Sequence, residues 1–271
     1  MHTASALPNF SSRALSAAAT SWFVVAVSGQ MIFLLYIVAY YGRSAARGDF
    51  AAWNKVLTNG HIPGDAANNA AIIGHIFIAA FITLAGPLQL IPAIRARFPA
   101  FHRWTGRLYL VTAVVASIAG LFLVWARHPG GSFLQHVAIS INALLIIVAT
   151  WFAVRHAMAR QLATHRRWAL RLFLLVSGSW FFRVGLMFWI AINGGPVGFD
   201  PKTFLGPALE VLSFLQFLLP LAVLELYFRA KASPRPTLRT ATAGALFLMS
   251  AAMGLGILVA SKGMWLPLIG R

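Results

Sequence analysis

The sequence predicts an all-α integral membrane protein with seven transmembrane helices, and three observations predict it. Of 271 residues, 59% are hydrophobic and only 10% charged, against about 25% charged in a soluble domain. The apolar residues fall in long uniform runs, near the ~20 residues a helix needs to cross a bilayer, and do not alternate as barrel strands do. The basic residues sit in the short stretches between those runs, where membrane proteins place them. Such hydrophobicity also excludes a disordered chain.

The runs cover roughly residues 19–41, 70–94, 108–125, 134–154, 168–193, 206–228 and 240–261. The first is longer than the ~7–15 residue core of a cleavable leader, so it reads as an uncleaved first span. The stretch 42–69 is the longest connection. Within it Asp49 is placed to cap a short helix carrying Phe50, Trp53 and Leu57 on one face, predicted to lie in the membrane interface. His61, Pro63, Gly64 and Asp65 read as a turn. Gly86-Pro87 is expected to loosen or kink the second span. No low-complexity linker divides the chain, so residues 1–271 form one multi-pass domain: first span and outer loop (19–69), four-helix core (70–193) and two C-terminal spans (206–261).

Charge sets an orientation. With 22 Lys plus Arg against 5 Asp plus Glu, the formal net charge is +17. Arg13 and the arginine-rich stretches at 95–107, 155–171 and 229–239 put 14 basic residues on one side; Arg43, Arg47, Lys55, Arg127, Lys202, Lys262 and Arg271 make 7 on the other. The positive-inside rule then predicts a bacterial inner-membrane protein with its N-terminus inside and C-terminus outside. Anionic lipid headgroups, not nucleic acid, are the expected partners of these charges. Cysteine is absent, which excludes disulfides, thiolate metal sites and covalently attached haem.

The middle of the chain carries an internal repeat. HRWTGRLYL from His102 and HRRWALRLFL from His165 share His, Arg, Trp, Arg, Leu, an aromatic and Leu in order, with one inserted residue, 63 residues apart. His75 and His136, near the outer ends of the second and fourth spans, are 61 apart; Trp125 and Trp189 are 64 apart; Arg95 and Arg155 are 60 apart. A two-span hairpin repeated in parallel explains these offsets. It predicts one histidine pair near each membrane face.

Two neutral imidazoles at one depth can ligate haem iron from both sides, which leaves an electron carrier with no open coordination position. The expected ligands of a haem b are therefore His75 with His136 outside and His102 with His165 inside. Arg103, Arg107, Arg166 and Arg171 would face propionates on the inner side, Gln135 and Arg127 on the outer, and a quinol or other redox partner would supply or accept electrons. This placement resembles the di-haem transmembrane cytochromes b of the ascorbate-reducible and ferric-reductase type, in architecture and His placement only. The competing structural reading is that His102 and His165, each beside Arg, anchor helix ends among headgroups, and that His75 and His136 bond backbone or water. His2, His61, His128 and His156 read as surface residues. Arg183 and Glu210, both within apolar runs, are expected to pair, as an inter-helix clamp or a proton or substrate site. Glu225 is expected to meet Arg229 or Arg171.

The residues Gly86-Pro87-Leu88-Gln89, Pro92 and Arg95, followed by His102-Arg103, Gly106-Arg107 and Tyr109, resemble a bacterial family of predicted membrane proteins, domain of unknown function 2306. His165-Arg166, Trp168 and Arg171 resemble its second basic motif, with Ala169 where that family usually has Met. The resemblance covers the second to fifth spans. It implies a multi-pass membrane fold and carries no activity, cofactor or substrate. Two further function classes stay open: a solute permease, from Gly86-Pro87 and the Arg183/Glu210 pair, and a non-catalytic assembly or scaffold protein docking through its arginine-rich loops. No general acid/base pair, phosphate loop or nucleophile triad is visible.

Overall fold

The computed structural model describes residues 10–57, 60–126 and 130–270; His2, Arg127, His128 and Arg271 lie outside them. Helix α1 (Phe10–Tyr36) continues through a π-helical turn (Ile37–Gly42) into α2 (Arg43–Ala46). A 3₁₀ turn (Phe50–Lys55) leads to α3 (Ala66–Leu90), the short α4 (Pro92–Arg97), α5 (Pro99–Ala126) and α6 (Phe133–Met158). Then come α7 (Leu162–Val176), α8 (Gly178–Asn193), α9 (Pro207–Ala232), α10 (Pro236–Ala260), a second π turn (Ser261–Trp265) and α11 (Leu266–Ile269). The described residues contain no strand, only an isolated bridge between Asp200 and Leu205.

Six helical stretches are long and apolar enough to cross a membrane, and α7 with α8 makes a seventh if that bent pair is one span. The ends follow local chemistry. The Asp65 carboxylate accepts from the Asn68 amide at the start of α3, and Ser132 with Gln135 forms a capping box at the start of α6. Pro207 and Pro236 open α9 and α10, where a missing N–H costs nothing. Gly194 closes α8 at φ 68°, a left-handed conformation that glycine adopts without strain.

The break in the fold is not where the proline predicts it. Helix α3 runs through Pro87 to Leu90 without interruption. The 54° bend falls instead between α7 and α8, at Ser177-Gly178. A Ser/Gly pair is a recurring kink site, and the Ser177 hydroxyl bonds back to the Phe173 carbonyl at 2.8 Å, which bends helices. The opened turn is satisfied from neighbouring helices: Asn142 donates to the Leu175 carbonyl at 3.1 Å and Gln30 to the Ser177 hydroxyl at 3.0 Å.

Helices α3, α5, α6 and α7 pack each against the next, and α7 touches α3 to close the ring. This is the expected four-helix core, but only at one end. Beyond the bend α8 leaves the ring and packs on α10 and α9, while α1 lies along α10. Small residues permit these approaches, as is usual between membrane helices. A methyl group on Gly256 of α10 would overlap the Val184 carbonyl of α8. Side chains such as Val111, Leu144 and Leu248 point away from the bundle, consistent with contact to lipid.

The two ends of the bundle are pinned by contacts between remote segments. At the arginine-rich end, Arg239 donates to the Ser12 hydroxyl at 2.7 Å, joining the start of α1 to that of α10. At the opposite end, Arg43 donates to the Ile269 carbonyl at 3.0 Å. The connection there is not an interfacial helix. Asp49 does cap the 3₁₀ turn, accepting from the Ala52 amide, but Trp53 is only 1% exposed and packs edge-on against Tyr41. Its indole has more area to bury in the bundle than in an interface.

Candidate functional site

The two histidines of the arginine-rich end occupy equivalent places. His102 lies three residues past Pro99, the first residue of α5, and His165 three residues past Leu162, the first of α7. Both are therefore in helical first turns and not in loops, as the span boundaries at 108 and 168 had implied. The repeat extends to their neighbours. Arg107 stacks over the Trp104 ring at 4.9 Å and Arg171 over the Trp168 ring at 4.7 Å. Each is a Trp and an Arg three residues apart on one helix face. His102 and His165 lie close enough to interact electrostatically.

Their hydrogen bonds differ. His165 Nδ1 donates to the Ala153 carbonyl of α6 at 2.9 Å, which fixes the tautomer and leaves Nε2 free. His102 Nδ1 is shielded from solvent and unbonded. Arg95 and Arg103 act electrostatically on His102. Arg103, Arg107 and Arg166 are exposed. Arg171 is already committed: its Nη2 lies 2.6 Å from Glu225 Oε1. It is neutralised there and not free to meet a propionate. Arg95 was not among the expected propionate partners, because on sequence it is one loop arginine among several.

The outer pair does not match in depth. His75 lies nine residues past Ala66 on α3 and His136 three residues past Phe133 on α6. At 1.5 Å per residue these are about 14 and 5 Å from the helix starts. Neighbours on α5 agree: His75 sits beside Gly120, whereas His136 meets Trp125 with ring centroids 5.8 Å apart. His136 Nε2 also donates to the Gly130 carbonyl at 3.0 Å. Its ring is engaged at the rim. Along α5 the two histidines meet positions five residues apart, so the structure does not bring His75 and His136 together at one level.

Arg183 and Glu210 form no ion pair; among the described residues the one ion pair joins Arg171 and Glu225. Arg183 turns the other way, over the Phe33 ring of α1 at 5.5 Å, with Nη1 donating to the Ser179 carbonyl at 2.8 Å. Tyr36, Tyr41 and His75 lie within electrostatic range of it. This gathering was not expected from the sequence. Its one local signal is the run of Phe33, Tyr36, Tyr40 and Tyr41 at helical spacing, which reads equally as an aromatic belt. His61 stacks on Phe50 and His156 bonds Gln161, so neither belongs to a site.

The Gly86-Pro87-Leu88-Gln89 motif makes a joint. Gln89 donates to the Thr105 hydroxyl at 2.6 Å. A methyl on Gly86 would come within 3.1 Å of the Phe173 ring and 3.3 Å of Tyr109. The motif thus holds α3 against α5 and α7.

These features define a polytopic helical membrane protein whose central helices are joined by two basic, histidine-bearing turns. A family model described as predicted membrane protein, domain of unknown function 2306, matches residues 72–227, and the chain belongs to that family. No curated protein and no solved structure matches it.

Proposed function

We propose that the chain is a b-type haem protein with one haem at its arginine-rich end, held by His102 and His165. The observation that carries this reading is the equivalence of these two histidines, each in the first turn of its helix, within electrostatic range of one another. Three features of the donor set fit. A metal-ligating histidine usually donates its second ring N–H to a carbonyl, as His165 does to Ala153. The shielded, unbonded Nδ1 of His102 is a buried polar atom in want of a partner. Among the described residues no three of His, Asp or Glu gather, so there is no cage for a bare ion, whereas bis-imidazole ligation needs only two donors.

When bound, haem would supply one-electron exchange with a quinol or another reduced partner. His102 and His165 would be the side chains that hold it. The Ala153 carbonyl would hold the His165 tautomer. Arg95 and Arg103 would offset propionate charge. The outer pair is not part of this proposal, so a two-haem path across the membrane is not either. By the positive-inside rule the arginine-rich end faces the cytoplasm of a bacterial inner membrane.

The test is optical. Protein purified in detergent from haem-supplied cells should show a low-spin b-type spectrum on reduction with dithionite. His165→Ala and His102→Ala should abolish it, and His136→Ala should leave it intact. A folded protein without a Soret band overturns the proposal.

One observation favours a permease as the second reading: the 54° bend at Ser177, whose freed polar groups are met by Gln30 and Asn142 in mid-span. Broken helices of this kind line transport sites. Asn142→Leu should then alter uptake of some solute in whole cells; unchanged phenotypes across a broad nutrient panel would sink it.

A further inference from the structure

Arg183 is an intramembrane cation without a carboxylate. It lies ten residues before Asn193, the last residue of α8, about 15 Å from that end. His75 reaches a similar depth on α3, about 14 Å from its start. An ionisable group at that depth is costly and is kept paired or used. The chain has only 5 acidic residues, and none pairs with Arg183. Asp49 and Asp65 cap helices, Asp200 accepts from the Lys202 amide, Glu225 holds Arg171, and Glu210 stands at the start of α9.

What surrounds Arg183 is rich in donors. The Tyr36 hydroxyl donates to that of Tyr41 at 3.2 Å. His75 Nδ1 and the indole nitrogens of Trp53, Trp180 and Trp265 are shielded and unbonded. The three tryptophans belong to the same buried cluster as Phe33, Tyr36 and Tyr41. An indole N–H can only donate. Arg183 itself is only half-buried, so its unused guanidinium donors are not sealed by packing. Unbonded donors around an unneutralised cation select a ligand that brings acceptors and negative charge.

Two π-helical turns shape this cluster. Ile37–Gly42 carries Tyr40 and Tyr41, and Ser261–Trp265 carries Trp265, whose ring lies 5.1 Å from Phe33. Single π turns recur at functional sites because they re-aim side chains at the expense of regular bonding. Here two from opposite ends of the chain turn their aromatics to one place. Beyond the tyrosines, a cavity of about 110 Å³ opens at the same end of the bundle. Arg43, Arg47 and Lys55 line it against Asp49 alone, and Tyr40 forms part of its wall. Tyr40 stacks on Tyr36 at 5.8 Å and meets Tyr41 edge-on at 5.0 Å. Cations lining it concentrate anions, and Tyr40 connects its wall to Tyr36 and Tyr41.

We infer that Arg183, Tyr36, Tyr41 and His75 form a binding site for a small oxyanion, carboxylate or phosphate, reached from the end opposite the arginine-rich loops. The guanidinium supplies charge and a bidentate fork. The Tyr41 hydroxyl, itself held by a bond from Tyr36, and His75 supply further donors. Nothing in this site depends on haem at His102 and His165, which lie at the other end.

The test uses the full chain in detergent, titrated with inorganic phosphate and separately with succinate at constant ionic strength. Tryptophan emission and thermal unfolding are the readouts. One of the two probes should give a saturable emission change and a rise in Tm that chloride does not, and which one does so identifies the ligand class. Arg183→Gln should weaken that binding by about tenfold or more, and Glu210→Gln should leave it unchanged. If Arg183→Gln does not fold, the paired substitutions Tyr36→Phe and Tyr41→Phe, which keep both rings, should weaken binding several-fold. No saturable response to either probe in the folded wild-type chain overturns the inference. So does an unaltered response in the Arg183→Gln or paired tyrosine variants.

Discussion

Arg171 of α7 meets Glu225 of α9 twice at one oxygen: Nη2 lies 2.6 Å and Nε 2.8 Å from Oε1. The guanidinium is also flanked by the Trp168 ring at 4.7 Å and the Phe228 ring at 5.6 Å. The two side chains remain 21% and 38% exposed, so solvent screens part of the attraction. Glu225→Gln is expected to cost roughly 1 kcal/mol after that discount. Arg171→Lys should cost a similar amount, because an ammonium keeps the charge and loses the planar stacking. Thermal unfolding in detergent, followed by circular dichroism, measures both. A Tm unchanged in both variants would refute the role of this pair.

Gly256 is where α10 comes closest to α8. A β-carbon there would overlap the Val184 carbonyl, which is backbone and cannot rotate away. Gly256→Val should therefore force the helices apart, at about 2–4 kcal/mol, and lower the yield of folded protein. Gly263→Ala, where a β-carbon meets nothing, is the control and should be close to neutral. Size-exclusion profiles and unfolding temperatures of the two variants decide the matter.

Gln89 and Thr105 form a side-chain bond of 2.6 Å between α3 and α5. A double-mutant cycle with Gln89→Leu and Thr105→Val should return a coupling of about 0.5–1.5 kcal/mol. Independence of the two substitutions would mean that the motif acts through Gly86 packing alone.

The orientation carries its own prediction. Alkaline phosphatase fused after Ile269 should be active, and fused after Lys231 inactive, if the arginine-rich end is cytoplasmic. The reverse pattern would place His102 and His165 on the outer side and change which partner could reach them.

The helical membrane class was legible because it rests on runs of apolar residues, which hardly depend on packing. The repeat was legible for a similar reason. His102, Trp104 and Arg107 recur as His165, Trp168 and Arg171, and each triplet is local to two turns of one helix. The pairing of Arg171 with Glu225 could be anticipated because both sit near the same bundle end. The relative level of His75 and His136 could not, since it depends on how α3 and α6 are staggered against α5, where the two meet Gly120 and Trp125.

By itself the sequence determined the long apolar helices, the asymmetry of charge and the two basic turns, all of which follow from composition within one segment. Tertiary structure decided which neighbour each intramembrane polar group has. Arg183 had an acid at plausible depth on the next helix, yet the bend at Ser177 carries α8 out of the ring toward α10, and Arg183 lies over Phe33 of α1. A helix direction changed by 54° re-aims every side chain beyond it. That change comes from one hydroxyl, one glycine and two amides on other helices, which become neighbours only when the chain is folded.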